Sequence, residues 1–161
     1  WCGPCLAAMP HVQELAEHYA DQGVVVIASC TSDERGKFEA WVKKNQQNYP
    51  HVHFAFDPKE KAPERASRAL YGVSGIPQQF VIGREGVVAG SVGGYLKGEV
   101  LLDAALAKAG VKVDEAVLEK AKQDQAARDA REKKTVPAMP MKPMTPGGGM
   151  VPAKPVDGGK K

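Results

Sequence analysis

The sequence has no long apolar run and, before its last segment, no excess of charge of either sign. It contains no stretch of about 18 consecutive apolar residues, the length that a transmembrane helix requires, so we expect no such helix in this chain. The formal net charge of +3 arises from residues 135–161, with four lysines and one acid, whereas 18 basic and 18 acidic residues precede them. A basic face that could bind a nucleic-acid backbone is therefore not expected.

Cysteine is scarce too, with only three residues, but Cys2 and Cys5 form a C-x-x-C pair. Covalent haem attachment requires a histidine directly after the second cysteine, and Leu6 occupies that position, which excludes this cofactor. A zinc site that adds His11 and His18 is disfavoured, because six residues separate these histidines and metal fingers use three to five. We therefore expect no metal at the pair.

The pair stands at the start of a predicted amphipathic helix. Apolar residues recur after it at spacings of three and four, namely Leu6, Met9, Val12, Ala16 and Tyr19. The N-terminus of a helix carries a partial positive charge and unpaired N–H groups, which stabilise a thiolate. We therefore expect Cys2 to be the nucleophile. Cys5, one turn further into the helix, is expected to attack the mixed disulfide that Cys2 forms with a substrate and so to resolve it.

Two motifs together resemble the thioredoxin superfamily. The first is W-C-G-P-C at residues 1–5, followed by Pro10, and the second is Y-G-V-S-G-I-P at residues 71–77, followed by the apolar run 80–82. The interval between them is longer than in plain thioredoxin and leaves room for an additional helix. This length resembles the TlpA-like branch, the redoxin-type thiol-disulfide oxidoreductases of bacterial envelopes.

The resemblance implies a thioredoxin-like α/β fold, in which a central mixed β-sheet is flanked by helices. It implies that Pro77 is cis and faces the cysteine pair, and that the backbone of Ile76 offers an edge to a bound peptide. Trp1, Gly3 and Pro4 complete the implied active-site motif, with Trp1 as a surface ring beside the nucleophile. The family places a strand directly before this motif, so we expect the N-terminal strand or strands to be missing from this chain.

Three regions are predicted along the chain. Residues 1–110 form the thioredoxin-like domain, residues 111–134 a charged helix that extends into solvent, and residues 135–161 a disordered tail rich in Pro, Gly, Met and Lys. Within the domain the patterns predict a buried strand at 24–28, a helix starting near residue 32 and a strand at 51–56. They then predict a helix whose inner face is Ala66, Ala69 and Leu70. Strands at 79–82 and 87–91 and a helix at 101–109 complete the predicted domain. Cys30 is expected to be a small buried apolar residue, with an accessory thiol as the alternative.

These observations predict a thiol-disulfide oxidoreductase that acts on protein thiols and disulfides. The Gly3-Pro4 dipeptide resembles the reducing members, so we expect a reductant supplied by an upstream thiol donor, with no cofactor beyond the Cys2–Cys5 disulfide. We expect a monomer in the bacterial envelope or periplasm, without nucleic-acid partners or membrane contact in this chain. Three alternatives stay open: a redoxin-type peroxidase, a copper-delivery protein that uses the methionines of the tail, and a non-catalytic binding module of the same fold.

Overall fold

The computed structural model describes residues 1–57 and 65–135. It contains five α-helices and four β-strands within those ranges, joined by turns and two short 3-10 segments. In chain order they are α1 (Gly3–His18), β1 (Val26–Cys30), α2 (Arg35–Asn45), β2 (Val52–Phe56), α3 (Ala66–Ala69), β3 (Gln78–Ile82), β4 (Val88–Gly93), α4 (Leu101–Lys108) and α5 (Glu115–Thr135). The predicted tail from residue 136 onward lies outside the described residues.

The four strands form two separate two-stranded sheets. β1 pairs with β2 in parallel, from Val26 opposite Val52 onward, and β3 pairs with β4 in an antiparallel hairpin. The predicted mixture of parallel and antiparallel pairing is confirmed, but the single central sheet is not formed within residues 1–57 and 65–135.

One apolar core joins the elements. Its buried members come from the end of α1, from β3 and from α4, and are Leu15, Tyr19, Val81, Leu102, Ala105 and Leu106, with Val24 and Val26 packed against them. Tyr19 is 2% exposed, and its hydroxyl donates a 2.8 Å hydrogen bond to Asp103 Oδ1. Burial, together with this bond to a carboxylate, raises the pKa of Tyr19 far above its ordinary value. The phenol therefore stays neutral and links α1 to α4.

Several positions that were predicted to be buried are exposed, among them Val25, Ile27, Ala69 and Leu70. The strand predicted at 24–28 begins two residues later, and because side chains alternate across a strand, Ile27 points away from the core and is 65% exposed. Leu70, predicted on the inner face of a helix, is 79% exposed. The reason is that α3 ends at Ala69, so Leu70 caps the helix and does not continue its inner face.

The C-terminal helix α5 is confirmed as a helix, but it is not only a solvated extension. Ala121 is buried at 3% exposure. Arg128 donates to both carboxylate oxygens of Glu99 and to the carbonyl oxygen of Gly93 at the end of β4. Asp124 accepts from the backbone N–H of Val100. One small apolar residue and two charged ones therefore attach α5 to the domain.

Helix α4 lies close to β4 because Gly90 has no side chain. A Cβ atom at Gly90 would be 2.8 Å from Ala105 Cβ, closer than two carbon atoms can approach without a shift. Since Ala105 belongs to the buried core, the backbone of α4 would have to move to admit it.

We expect Gly90→Ala to lower the free energy of unfolding by about 1 to 3 kcal/mol, because it overpacks this contact. The matched control is Gly36→Ala in α2, where a Cβ meets nothing within 4 Å and the higher helix propensity of alanine should stabilise by about 0.5 to 1 kcal/mol. Urea unfolding of both variants measures the difference. Equal effects of the same sign would contradict the close approach of α4 and β4.

Candidate functional site

The cysteine pair is positioned by the first turn of α1. Cys2 is the N-cap residue, Gly3 and Pro4 are the first helical residues, and Cys5 follows in the same turn. Proline suits this position because a backbone N–H group there would have no acceptor inside the helix, so its loss costs nothing. The backbone N–H of Cys5 donates to Cys2 Sγ over 3.3 Å. A positive helix terminus and an N–H group are thus directed at the sulfur of Cys2.

Cys2 and Cys5 are joined by a disulfide in this structure. The Sγ–Sγ distance is 2.06 Å and the Cα atoms are 5.2 Å apart. Only three sequence positions separate the two residues, so the bond closes a small ring at the end of the helix. The structure therefore shows the oxidised form of the pair that the sequence singled out.

The second predicted motif lies in the segment that leads into β3. The Ile76–Pro77 peptide bond is cis, which confirms the conformation that the resemblance implied. The carbonyl oxygen of Pro77 accepts from Gly94 N, 2.8 Å away. Among residues 1–57 and 65–135, no hydrogen bond involves the backbone N–H or carbonyl of Ile76. These two groups are therefore available to a ligand as far as the described residues are concerned.

Trp1 and Ile76 line a common cavity of about 290 Å³. The other residues that line it are Ser32, Arg65, Arg68, Val73, Ser74 and Gly75. Trp1 is 78% exposed, so it is the surface ring that the resemblance implied and not a core residue. The cavity thus brings together one end of each motif, although the two lie more than 70 positions apart in the sequence.

Asp57 fixes the start of helix α3, which carries the arginines of the cavity wall. It is 8% exposed, and its two carboxylate oxygens accept from the backbone N–H groups of Ala66 and Ser67, each over 2.9 Å. Arg65, 7% exposed, lies with Nε 4.0 Å from Asp57 Oδ2. Burial would raise the pKa of Asp57, but hydrogen bonds from Ser67 and Ala66 and the charge of Arg65 outweigh it and hold this pKa below its ordinary value.

Neither the arginines nor Asp57 was recognised in the sequence. Asp57 directly follows β2, and Arg65 and Arg68 are three positions apart, a spacing that places both near one face of a helical turn. The sequence offered one signal for this part of the site, namely a polar residue directly after a strand, followed by two arginines. It is weak, because such residues also occur on ordinary solvated helices.

The third cysteine and the histidines lie apart from this cavity. Cys30 is a free thiol at the end of β1 and is only partly buried, so the prediction of a buried apolar residue was wrong. The reason is that it lies at the last position of a strand that has a single neighbour among the described residues. His11 packs on Tyr95 and His18 on Tyr19, with ring centroids 6.0 and 4.6 Å apart. In the part of the chain that the structure describes, no three Cys, His, Asp or Glu residues are grouped to hold a metal ion.

The comparison with known families decides the assignment. The AhpC/TSA family matches residues 1–91 of the chain, more than half of its length and both motifs. The chain belongs to the AhpC/TSA family. It is therefore a redoxin-type member of the thioredoxin superfamily, with a thioredoxin-like fold.

Individual relatives of this AhpC/TSA member are named for thiol-disulfide chemistry. The chain is 26% identical over 103 residues to the thiol-disulfide oxidoreductase ResA of Bacillus subtilis, covering 64% of this chain and 53% of that protein. It is 30% identical over 88 residues to ResA of Bacillus anthracis. The crystal structure of a thio-disulfide isomerase from Thermus thermophilus matches with 29% identity and a TM-score of 0.52, over 70% of this chain and 75% of that one. The chain spans about half the length of the curated relatives that it matches.

We expect Asp57→Asn to lower the free energy of unfolding by about 1 to 2 kcal/mol at neutral pH, because a carboxylate that receives two N–H groups is lost. The pKa of Asp57 is lower in the folded state than in the unfolded state. The ionised carboxylate therefore contributes its full stabilisation when the pH lies above the ordinary pKa of an aspartate, and this stabilisation is lost as the pH falls through the lower pKa of the folded state. The difference between wild type and variant should therefore shrink in acid.

Urea unfolding at neutral pH and at about pH 3 measures this difference. Asp21→Asn is the matched control, because Asp21 is exposed and its carboxylate makes no hydrogen bond or ion pair with the described residues. A loss of stability for Asp57→Asn that is equally large at both pH values would contradict the role of the ionised carboxylate.

Proposed function

We propose that this protein is a thiol-disulfide oxidoreductase that exchanges disulfides with protein substrates through Cys2 and Cys5. The observation that carries the proposal is the disulfide at the N-terminus of α1, where the N–H of Cys5 donates to Cys2 Sγ. This arrangement stabilises negative charge on the sulfur of Cys2, which attacks the substrate disulfide. The relatives named as thiol-disulfide oxidoreductases support the same reading.

The reaction proceeds in two exchanges. In the reduced protein the Cys2 thiolate attacks a substrate disulfide, a Cys2–substrate disulfide forms, and one substrate sulfur leaves as a thiolate that takes up a proton. The Cys5 thiolate then attacks Cys2 Sγ, which forms the Cys2–Cys5 bond and releases the second substrate sulfur as a thiol. Two electrons pass from the dithiol to the substrate, and the product is the oxidised form seen in the structure.

Ile76, Pro77 and Trp1 are proposed to bind the substrate backbone beside the sulfurs. The cis bond before Pro77 and the backbone groups of Ile76, which have no partner among the described residues, leave a short edge to which an extended segment can add. Trp1 and Ile76 line the same cavity and would hold the segment from both sides. Gly3 and Pro4 set the first helical turn between the two cysteines.

The proposed direction is reduction of the substrate. The Gly3-Pro4 dipeptide resembles the reducing members of the superfamily, and a reductant that turns over requires an upstream thiol donor to reopen the Cys2–Cys5 disulfide. The resemblance to the TlpA-like branch supports an envelope or periplasmic location and a monomer. No helix in residues 1–57 and 65–135 is long and apolar enough to span a membrane.

Trapping tests the roles of the two cysteines. In a Cys30→Ser background, which removes the free thiol, we expect Cys5→Ser to accumulate mixed disulfides with protein substrates, because Cys2 still attacks and nothing resolves the product. Non-reducing electrophoresis with and without dithiothreitol measures the adducts. Cys2→Ser in the same background is the matched control and should form few.

The alternatives give other outcomes in the same experiment. A non-catalytic binding module would capture the same proteins with either cysteine replaced, and a protein of the peroxidase type would consume peroxide in a Cys2-dependent manner without accumulating protein adducts. Stoichiometric binding of Cu(I) by the reduced pair, with no mixed disulfides, would favour copper delivery. Each of these results contradicts the proposed function.

The reduction potential of the Cys2–Cys5 couple tests the direction. We expect a value near that of thioredoxin, about −270 mV, and not near that of the oxidant DsbA, about −120 mV. Thiol alkylation of the full-length protein across a glutathione series measures it, with Cys30→Ser so that only one couple reports. A value near the second figure would reverse the proposed direction while leaving disulfide exchange intact.

A further inference from the structure

The cavity beside Trp1 and Ile76 has a basic wall. Of the eight lining residues among 1–57 and 65–135, two are arginines, two are serines and none is acidic. Its volume of about 290 Å³ is large enough for one or two side chains of a bound segment. A ligand that enters this cavity therefore meets positive charge and hydroxyl groups directly next to the proposed docking edge.

The two arginines are held differently. Arg65 is 7% exposed, its Nε donates to Ser67 Oγ over 3.1 Å, and Asp57 lies within ion-pair distance. The charge of Arg65 is therefore largely balanced inside the wall, and its position is fixed. This residue shapes the cavity and is not the main attraction for a ligand.

Arg68 is the charge that a ligand would meet. Its side chain is exposed in the last turn of α3 and lines the cavity. No acidic group of residues 1–57 and 65–135 lies within 4.0 Å of its guanidinium. A guanidinium presents several N–H groups in one plane, which match the two oxygens of a carboxylate.

We propose that the cavity selects protein substrates in which an aspartate or glutamate lies close in sequence to the reactive cysteine, and that Arg68 binds this carboxylate. The inference rests on the proposed function, because it names the substrate class of that same site. An extended segment held along Ile76 places its side chains alternately on two sides, so a residue near the cysteine can point into the cavity. Arg68 is then a specificity-determining residue.

Three peptides that differ only at the positions flanking a single cysteine test the proposal. The flanking residues are glutamate, glutamine or lysine, and the cysteine carries a 2-thiopyridyl mixed disulfide whose release is followed by absorbance. The pre-reduced full-length protein is mixed with each peptide under single-turnover conditions. Each rate is divided by the rate with dithiothreitol, which corrects for the intrinsic reactivity of the peptide.

We expect the glutamate peptide to react about two to five times faster than the glutamine peptide, the size expected for an exposed ion pair, and the lysine peptide to react most slowly. Arg68→Gln should bring the ratio of glutamate to glutamine close to one, and Arg68→Glu should invert it. Lys43→Gln is the matched control: it removes one exposed positive charge on α2, outside the cavity, and should keep the wild-type ratio.

Salt gives a second measurement that does not depend on a variant. In wild type the preference for glutamate should fall towards one as the ionic strength rises to about 0.5 M, because exposed charges are then screened. Equal corrected rates for all three peptides in wild type, or a loss of preference in Lys43→Gln as large as in Arg68→Gln, would overturn the inference while the proposed function stands. If no peptide is reduced at all, the proposed function fails and the inference fails with it.

Discussion

The contact between Tyr19 and helix α4 is the interaction on which the rest of the structure depends. The two sheets share no strand among the described residues, and side chains of both pack in one apolar core. Tyr19 stands at the end of the helix that carries the cysteines, and its hydroxyl is bound to Asp103 of α4. Val26 of β1 and Val81 of β3 pack in the same cluster. One buried aromatic residue at the end of the cysteine helix thus packs against strands of both sheets.

The candidate site is built at the opposite end of that helix from Tyr19. There the helix supplies Cys2 and Cys5, and the loop before β3 supplies Ile76 and the cis Pro77. A third contribution comes from the short helix α3, which is tied to the end of β2 through Asp57. The proposed sulfur chemistry depends on the first contribution, whereas the shape and charge of the proposed substrate cavity depend on the other two. Members of the superfamily can therefore share the reaction and differ in the substrates that they accept.

The sequence predicted those parts whose causes are local. The helix that starts at the cysteine pair, the hairpin of β3 and β4 and the apolar stripe of α4 follow from periodicity and turn residues, and the cis bond at Pro77 followed from the resemblance. The errors concern positions that tertiary structure decides. Leu70 lies outside the core because α3 stops one residue earlier, and Cys30 is half-buried because its strand has only one neighbour among the described residues. The docking of α5 was missed because its contacts are made by Asp124 and Arg128, which no search for apolar periodicity detects.

The division of the strands into two pairs has a consequence for how the backbone exchanges its protons with solvent. In the part of the chain that the structure describes, every strand has a partner on one side only, so there is no interior strand. Half of the amide groups in each strand therefore have no strand partner among the described residues, and we expect their protons to exchange faster than those of the paired half. The slowest amides are expected in α1 and α4, around Tyr19 and Leu106, where both the helical bonds and the buried core must open together. Among the described residues, the amides of the helices are therefore expected to stay protected longer than those of the strands.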